Sequence, residues 1–134
     1  MTDYKNLILA ALSCRKNAYA PYSGFKVGAA LMCENGNLYT GCNLENASYS
    51  ATICAERVAF AEALKNGESR FSAISIVGGK EENVTDFCPP CGVCRQFMAE
   101  FCDKDFKIIL FNGTETKTYK FSELLPNGFS GEYI

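Results

Sequence analysis

Two short motifs, well separated along the chain, constrain its fold more than any other feature. The first is Cys54-x-Glu56, and the second, which follows two prolines, is Cys91-x-x-Cys94. A structural zinc site normally has four protein ligands, whereas a catalytic site has three and leaves a position for water. Three thiols, together with a glutamate that is not needed as a ligand, therefore indicate a hydrolytic zinc centre.

The spacing within each motif predicts where the motif lies in the fold. Each residue of an α-helix turns the chain by about 100°, so Cys54 and Glu56 cannot meet on the flank of a helix. They can converge only beyond a helix N-terminus, where first-turn side chains extend past the end. Cys91 and Cys94 share one helix face and can chelate the same ion from a first turn. We therefore expect two helices to point their N-termini, which favour negative charge, at one site.

Composition excludes several classes of function. The net charge of -2 and the pI of about 5.2 give no general attraction to nucleic acid, and no apolar run approaches the ~20 residues that cross a bilayer. Histidine is absent, which excludes Ser-His and Cys-His mechanisms. The eight cysteines follow a start without a signal-peptide pattern. We therefore expect them to be core residues or metal ligands in the reducing cytoplasm.

Hydrophobic periodicity predicts one α/β domain that spans residues 1–134, because predicted helices alternate with predicted strands. Helices are predicted at residues 3–19, with Thr2 as the N-cap, at 53–66 and at 91–102, and a helical turn at 122–125. Strands are predicted at residues 25–33, 38–42, 71–79, 107–111 and 116–121. The apolar face of the first helix is predicted to be Leu7, Ala10, Ala11, Cys14 and Ala18.

Two arginines directly follow the motifs. Three thiolates on a divalent ion leave a net negative charge, which makes the ion a weaker activator of water. Arg57 follows Glu56 and Arg95 follows Cys94. Both arginines are therefore candidates to donate hydrogen bonds to sulfur and offset that charge.

Taken together, these residues resemble the small zinc-dependent cytidine deaminases of pyrimidine salvage, whose general signature is His or Cys-x-Glu followed by Pro-Cys-x-x-Cys. The similarity extends along nearly the whole chain. It comprises Tyr19-Ala20-Pro21-Tyr22-Ser23 with Phe25-x-Val27-Gly28-Ala29-Ala30-Leu31, Gly41-x-Asn43-x-Glu45-Asn46-Ala47-Ser48-Tyr49, Cys54-Ala55-Glu56-Arg57, Pro90-Cys91-Gly92-x-Cys94-Arg95-Gln96, and Leu124-Leu125-Pro126 with Phe129.

The resemblance implies a three-layer α/β/α sandwich with a mixed sheet of about five strands. It implies that Cys54, Cys91 and Cys94 bind one zinc ion per chain. Glu56 would move protons while a zinc-activated water attacks the amino-bearing ring carbon of cytidine or deoxycytidine. The products would be ammonia and uridine or deoxyuridine.

The resemblance also implies a substrate site. Asn43 and Glu45 would hydrogen-bond to the ribose hydroxyls, Phe25 would pack near the base, and the backbone of Ala55 would help to recognise it. Phe129 would stack on the substrate, in this family usually from a neighbouring subunit. Cysteine at the first ligand position is similar to the compact homotetrameric branch.

Two other classes of function remain open. A deaminase that acts on a base within RNA or DNA would need a basic, aromatic-lined path for the strand, which the acidic pI and short loops disfavour. Cys88 precedes the two prolines, and as a fourth ligand it would close a structural four-thiolate site, typical of a non-enzymatic zinc protein. Phe25, Phe129 and Arg57 could equally be ordinary core or surface residues.

Overall fold

The computed structural model describes residues 3–134, so the predicted N-cap Thr2 lies outside the described residues. The helices are α1 (Lys5–Arg15), α2 (Ala55–Lys65), α3 (Gly92–Phe101) and α4 (Phe121–Leu124), with short 3₁₀ turns at Tyr49–Ala51 and Gly131–Tyr133. The strands are β1 (Lys26–Cys33), β2 (Leu38–Cys42), β3 (Phe71–Gly79), β4 (Lys107–Phe111) and β5 (Thr116–Lys120). Within the described range, none of the helices is long and apolar enough to cross a membrane.

The five strands form one mixed sheet in the order β2-β1-β3-β4-β5. Strand β1 is antiparallel to both of its neighbours, β3 is parallel to β4, and β5 is antiparallel to β4. Successive strand side chains point to opposite faces, so Ile108 packs in the core beneath α2 and α3 while Ile109 packs beneath α1. The predicted three-layer α/β/α fold is thereby confirmed.

Two glycines allow the helices to approach the sheet closely. A Cβ on Gly28 would overlap the carbonyl oxygen of Ala11 in α1, and a Cβ on Gly41 would lie 2.5 Å from the carbonyl oxygen of Ala55 in α2. Both glycines are buried. The close contact at Gly41 fixes the first turn of α2 against the end of β2, and so brings the first cysteine motif beside Asn43.

An aromatic cluster centred on Phe60 holds α2 and α3 together over the sheet. The ring of Phe60 is fully buried, and its centroid lies 5.1 Å from Phe71 on β3 and 5.9 Å from Phe97 on α3, both edge-on. Phe106 lies 6.1 Å away. Edge-to-face contacts are directional, so this cluster fixes the angle at which the two helices converge.

Several element boundaries differ from the sequence prediction. Helix α1 ends at Arg15 rather than near residue 19, because the N–H of Tyr19 donates to the carbonyl of Asn43 and the chain there pairs with the segment after β2. Ala18 therefore lies beyond the helix. The predicted stop of α2 at Gly67 is confirmed by its left-handed φ of 87°. Strand β5 ends one residue early, since Phe121 is buried as the first residue of α4.

Arg15 is the main feature that periodicity misses. Arg15, and not the predicted Cys14, lies on the buried face of α1, where it is only 7% exposed. Its guanidinium donates to the backbone carbonyls of Lys26, Gly79, Glu81 and Glu82. One side chain therefore joins the start of β1 to the connection that leads from β3 toward the second cysteine motif.

We expect replacement of Arg15 by Met to lower the free energy of unfolding by about 2–4 kcal/mol, because it leaves several part-buried carbonyls without a donor. The matched control is Lys16→Met, which removes an exposed charge from the adjacent position and should change stability by less than about 0.5 kcal/mol. Urea unfolding of the zinc-loaded proteins measures both. Equal stabilities of the two variants would contradict this role for Arg15.

Candidate metal centre and substrate cleft

The three predicted thiols lie together at the N-termini of two helices. Cys54 is the N-cap of α2, Cys91 is the N-cap of α3, and Cys94 lies in the first turn of α3. Their sulfur atoms all lie within 4.8 Å of one another, and the Cys54 and Cys91 sulfurs are 3.6 Å apart. Tetrahedral zinc with Zn–S bonds of ~2.3 Å places sulfurs about 3.8 Å apart. The donor set therefore fits zinc in both chemistry and spacing.

The electrostatic environment of the thiols favours thiolate and therefore the binding of a cation. A hydrogen bond from the Cys94 thiol, with further help from the Arg57 guanidinium, lowers the pKa of Cys54 to about 5. The same hydrogen bond, together with burial, raises the pKa of Cys94. Both helix N-termini also favour thiolate. Cys54 is therefore already the anionic member of the cluster near neutral pH.

Glu56 lies beside the thiols and is almost completely buried. It occupies the first turn of α2 and is 4% exposed. Burial raises its pKa to about 7, and the nearby Cys54 thiolate adds to the increase, while a hydrogen bond with its own backbone N–H opposes it. A carboxyl group that titrates near neutrality can both accept and return a proton at physiological pH. This is the property expected of a general acid–base residue.

The two candidate arginines have different partners. The Nη2 atom of Arg57 lies 3.6 Å from the Cys54 sulfur and donates to the carbonyl of Thr52 at 3.3 Å. Arg95 does not contact sulfur. Its Nε donates to the carbonyl of Pro90 and its Nη1 to that of Leu124, at 2.8 and 2.9 Å. The prediction that Arg95 donates a hydrogen bond to sulfur is therefore wrong, because its Nε and Nη1 donate to backbone carbonyls instead.

We expect Arg57→Gln to reduce zinc affinity or kcat/KM by about 10–100-fold, the range found when an outer-shell partner of a metal ligand is removed. The matched control is Arg70→Gln, since Arg70 is 82% exposed and has only a loose ion pair with Glu34 at 4.0 Å. Competition with a chromophoric chelator measures zinc affinity, and initial rates measure turnover. Unchanged zinc affinity and kinetics for Arg57→Gln would contradict the charge-offsetting role.

Cys88 does not belong to the thiol cluster found in residues 3–134. Its sulfur packs against Gly78, where a Cβ would approach it to 2.9 Å. Burial raises the pKa of Cys88 to about 12, and the charge of Glu56 adds to this increase. Cys88 is therefore held as a neutral thiol against β3, and the geometry does not form a closed four-thiolate site.

Asn43 is buried at the end of β2 and connects this end to β1. Its Oδ1 accepts the N–H of Val27 and its Nδ2 donates to the carbonyl of Phe25, both at 2.8 Å. A backbone N–H can only donate and a carbonyl can only accept, so these two contacts define the orientation of the amide. One Nδ2–H remains available for a ligand.

Glu45 belongs to a second hydrogen-bonded group. Its Oε1 accepts the N–H groups of Tyr22 and Ser23 at 3.0 and 3.1 Å, and its Oε2 accepts the Ser23 hydroxyl. These donors, the Ser23 hydroxyl foremost, hold the pKa of Glu45 below its usual range. Glu45 is therefore an ionised acceptor. It lines a cleft of about 490 Å³ together with Tyr22, Ser23, Asn46, Tyr49 and Thr52.

The remaining predicted substrate residues are placed as follows. Ala55 is the buried first residue of α2, where backbone N–H groups have no partner within the helix. Phe25 precedes β1 and is 37% exposed. Phe129 is 59% exposed, its ring stacks on Tyr133 at 5.9 Å, and its carbonyl accepts from Gln96. Their roles toward a substrate stay predictions.

Two residues of this region had no predicted role. Ser23 is part of a quoted sequence motif but was given no function. A serine hydroxyl often accepts the backbone N–H two residues further along the chain, and this local pattern could have predicted its contact with Phe25. The backbone carbonyl of Thr52 accepts from Arg57, while its hydroxyl accepts the N–H of Asn46. Thr52 therefore joins the cleft to the metal centre, and no local sequence pattern predicts this contact.

A wider groove of about 880 Å³ lies on the opposite face of the sheet, where α1 meets β4 and β5. Its lining includes Tyr4, Ile8 and Phe111, and none of the clustered thiols. This groove therefore lies away from the thiol cluster, which is on the side of the sheet that α2 and α3 cover.

A metal site of three thiols, with its own buried proton acceptor and a cleft beside it, is the arrangement of a metal-dependent hydrolytic enzyme. The family model described as "Cytidine and deoxycytidylate deaminase zinc-binding region" matches residues 1–110. This chain therefore belongs to the cytidine and deoxycytidylate deaminase family, and its three clustered thiols are positioned to bind the zinc ion.

Individual relatives agree with this membership. A cytidine deaminase from Sporosarcina psychrophila is 44% identical over 131 residues, which cover 97% of this chain and 93% of the relative. A second cytidine deaminase, from Halalkalibacterium halodurans, is also 44% identical, over 97% of this chain and 96% of the relative. The crystal structure of cytidine deaminase from Burkholderia pseudomallei has a TM-score of 0.86 and 42% identity, over 96% of this chain and 100% of that chain.

Proposed function

We propose that this chain catalyses the hydrolytic deamination of cytidine and deoxycytidine, giving uridine or deoxyuridine and ammonia. The observation that supports this most is the position of Glu56, a buried carboxyl group beside three metal-binding thiols. The names of the similar proteins support cytidine as the substrate. A role in pyrimidine salvage follows from the products.

The proposed chemistry assigns separate tasks to the thiols and to Glu56. Zinc held by Cys54, Cys91 and Cys94 would supply a Lewis acid that lowers the pKa of water. The Glu56 carboxylate takes a proton from the attacking water and gives it to the ring nitrogen next to the amino-bearing carbon. It then transfers the second proton to the amino group, which leaves as ammonia. One water is consumed, and the C–NH₂ group is replaced by a carbonyl.

The cleft supplies recognition of a nucleoside. We propose that the free Nδ2–H of Asn43 and the remaining acceptor site of Glu45 bind the ribose hydroxyls. Phe25 packs near the base, and the backbone N–H at Ala55 helps to recognise it. The acidic pI and the small size of the cleft support a free nucleoside over a nucleic-acid strand.

We propose that the working enzyme is a homotetramer of single-domain chains in the cytoplasm. Three large aromatic side chains, Tyr49, Phe129 and Tyr133, are 78%, 59% and 69% exposed in the single chain, which supports their burial against other subunits. Phe129 would then stack on the substrate of a neighbour. The eight cysteines are all free thiols, which supports a reducing compartment.

The test is the turnover of purified, zinc-quantified protein with four substrates: cytidine, deoxycytidine, cytosine, and a cytosine-containing single-stranded oligonucleotide. Absorbance loss near the cytidine band measures the rate. We expect both nucleosides to be deaminated and the free base and the oligonucleotide to react at least about 100-fold more slowly. Preferred turnover of the oligonucleotide, or no turnover of either nucleoside by protein with one zinc per chain, would overturn the proposal.

A further inference from the structure

The hydroxyl group of Ser23 connects Glu45, which lines the cleft, to the backbone of Phe25. It donates to Oε2 of Glu45 and accepts the backbone N–H of Phe25 at 2.9 Å. The carbonyl of the same Phe25 accepts from Nδ2 of Asn43 at 2.8 Å. Asn43 and Glu45, the two residues proposed to bind the sugar, are therefore joined through Ser23 and the peptide groups of one residue.

Three hydrogen bonds in this network occupy most of the acceptor positions of the Glu45 carboxylate. Two backbone N–H groups bind Oε1, and the Ser23 hydroxyl binds Oε2. A carboxylate has about four lone-pair positions, so about one remains, on Oε2. The terminal torsion of a glutamate is broad and weakly restrained. The two N–H groups hold Oε1, and the Ser23 hydroxyl is the one side-chain donor on Oε2, where it fixes the direction of the remaining site.

We propose that Ser23 is a positioning residue for sugar recognition. Its hydroxyl aims the free acceptor site of Glu45 at a sugar hydroxyl and keeps it in register with Asn43, without touching the substrate itself. This inference rests on the proposed function and deepens it. The preference for cytidine over a nucleoside that lacks the 2′ and 3′ hydroxyls depends in part on Ser23.

The experiment measures binding separately from turnover. Cytidine and 2′,3′-dideoxycytidine are titrated by calorimetry into zinc-loaded Glu56→Gln protein, and into the same protein with Ser23→Ala, Ser23→Thr or Ser122→Ala added. Ser122 is an exposed serine of α4 and serves as the matched control. We expect Ser23→Ala to weaken cytidine binding about three- to tenfold, the loss of one hydrogen bond, and to change dideoxycytidine binding less than about twofold. Ser23→Thr restores cytidine binding because it keeps the hydroxyl.

A second readout uses the active protein. Ser23→Ala should raise KM for cytidine by a similar factor and leave kcat within about twofold, because the chemistry at Glu56 is untouched. Equal losses for the two nucleosides, or no loss for either, would overturn the inference while the proposed function stands. If cytidine does not bind zinc-loaded, folded Glu56→Gln protein at all, the proposed function fails and the inference fails with it.

Discussion

Replacement of Glu56 by Gln is expected to reduce kcat for cytidine by about 10²- to 10⁴-fold, the usual contribution of a positioned general acid–base residue. Zinc content should stay near one ion per chain. Glutamine keeps the size of the side chain and can fill the same buried space, but its amide cannot accept the proton of the attacking water. The loss should therefore appear in kcat and not in the binding of cytidine.

The control for this variant is Glu62→Gln, which makes the same change on the exposed side of the same helix. Its rate should stay within about twofold of the parent, because surface substitutions away from a site have small effects. Zinc is quantified in both proteins by atomic emission. A Glu56→Gln protein that retains zinc and more than a tenth of the parent activity would show that another group moves the protons.

Replacement of Cys91 by Ala is expected to remove zinc from the protein and to lower kcat/KM by more than about 100-fold. Loss of an outer-shell partner already costs 10–100-fold in metal affinity, and loss of a ligand costs more. After gel filtration in the presence of a mild chelator, we expect most of the Cys91→Ala chains to contain no zinc. Activity should return only at high added zinc.

Cys88→Ala is the matched control, because it removes a thiol three positions earlier whose sulfur packs against Gly78 instead of joining the cluster. It should keep one zinc per chain and most of its activity, with a modest loss of stability from the small cavity. If Cys88→Ala lost zinc as completely as Cys91→Ala, Cys88 would be a fourth ligand. The hypothesis of a closed structural site would then be correct, and the hypothesis of a catalytic site would be wrong.

The geometry of the metal centre could be predicted because the constraint is local. Cys54 and Glu56 are two residues apart, and this spacing is compatible with one shared target only at a helix N-terminus. The structure places Cys54 and Cys91 as N-caps, as that argument requires. Hydrophobic periodicity likewise predicted the five strands to within one residue at each end, whereas the three-layer arrangement was implied by the family resemblance.

The side chains that act over long range could not be predicted in this way. Sequence alone predicts Arg15 to be a surface residue, because arginine is rarely buried. Three of its four acceptors, the carbonyls of Gly79, Glu81 and Glu82, lie more than sixty positions away in the chain. Arg95 looked equivalent to Arg57 because each follows a motif. Only the fold shows that Nε and Nη1 of Arg95 donate to the carbonyls of Pro90 and Leu124.

The two cysteine motifs lie at the starts of α2 and α3, which precede and follow β3 in the chain, and Cys54 and Cys91 are separated by 37 positions. An ion bound between them closes a loop that contains all of α2 and β3, and so acts as a cross-link. Such an ion binds the folded chain and not the unfolded chain. Zinc binding and folding are therefore coupled, and the fraction of folded protein depends on the concentration of free zinc. Free zinc at 100 times its dissociation constant would add about 2.7 kcal/mol to stability. Zinc limitation would then reduce the amount of folded enzyme as well as the fraction that is active.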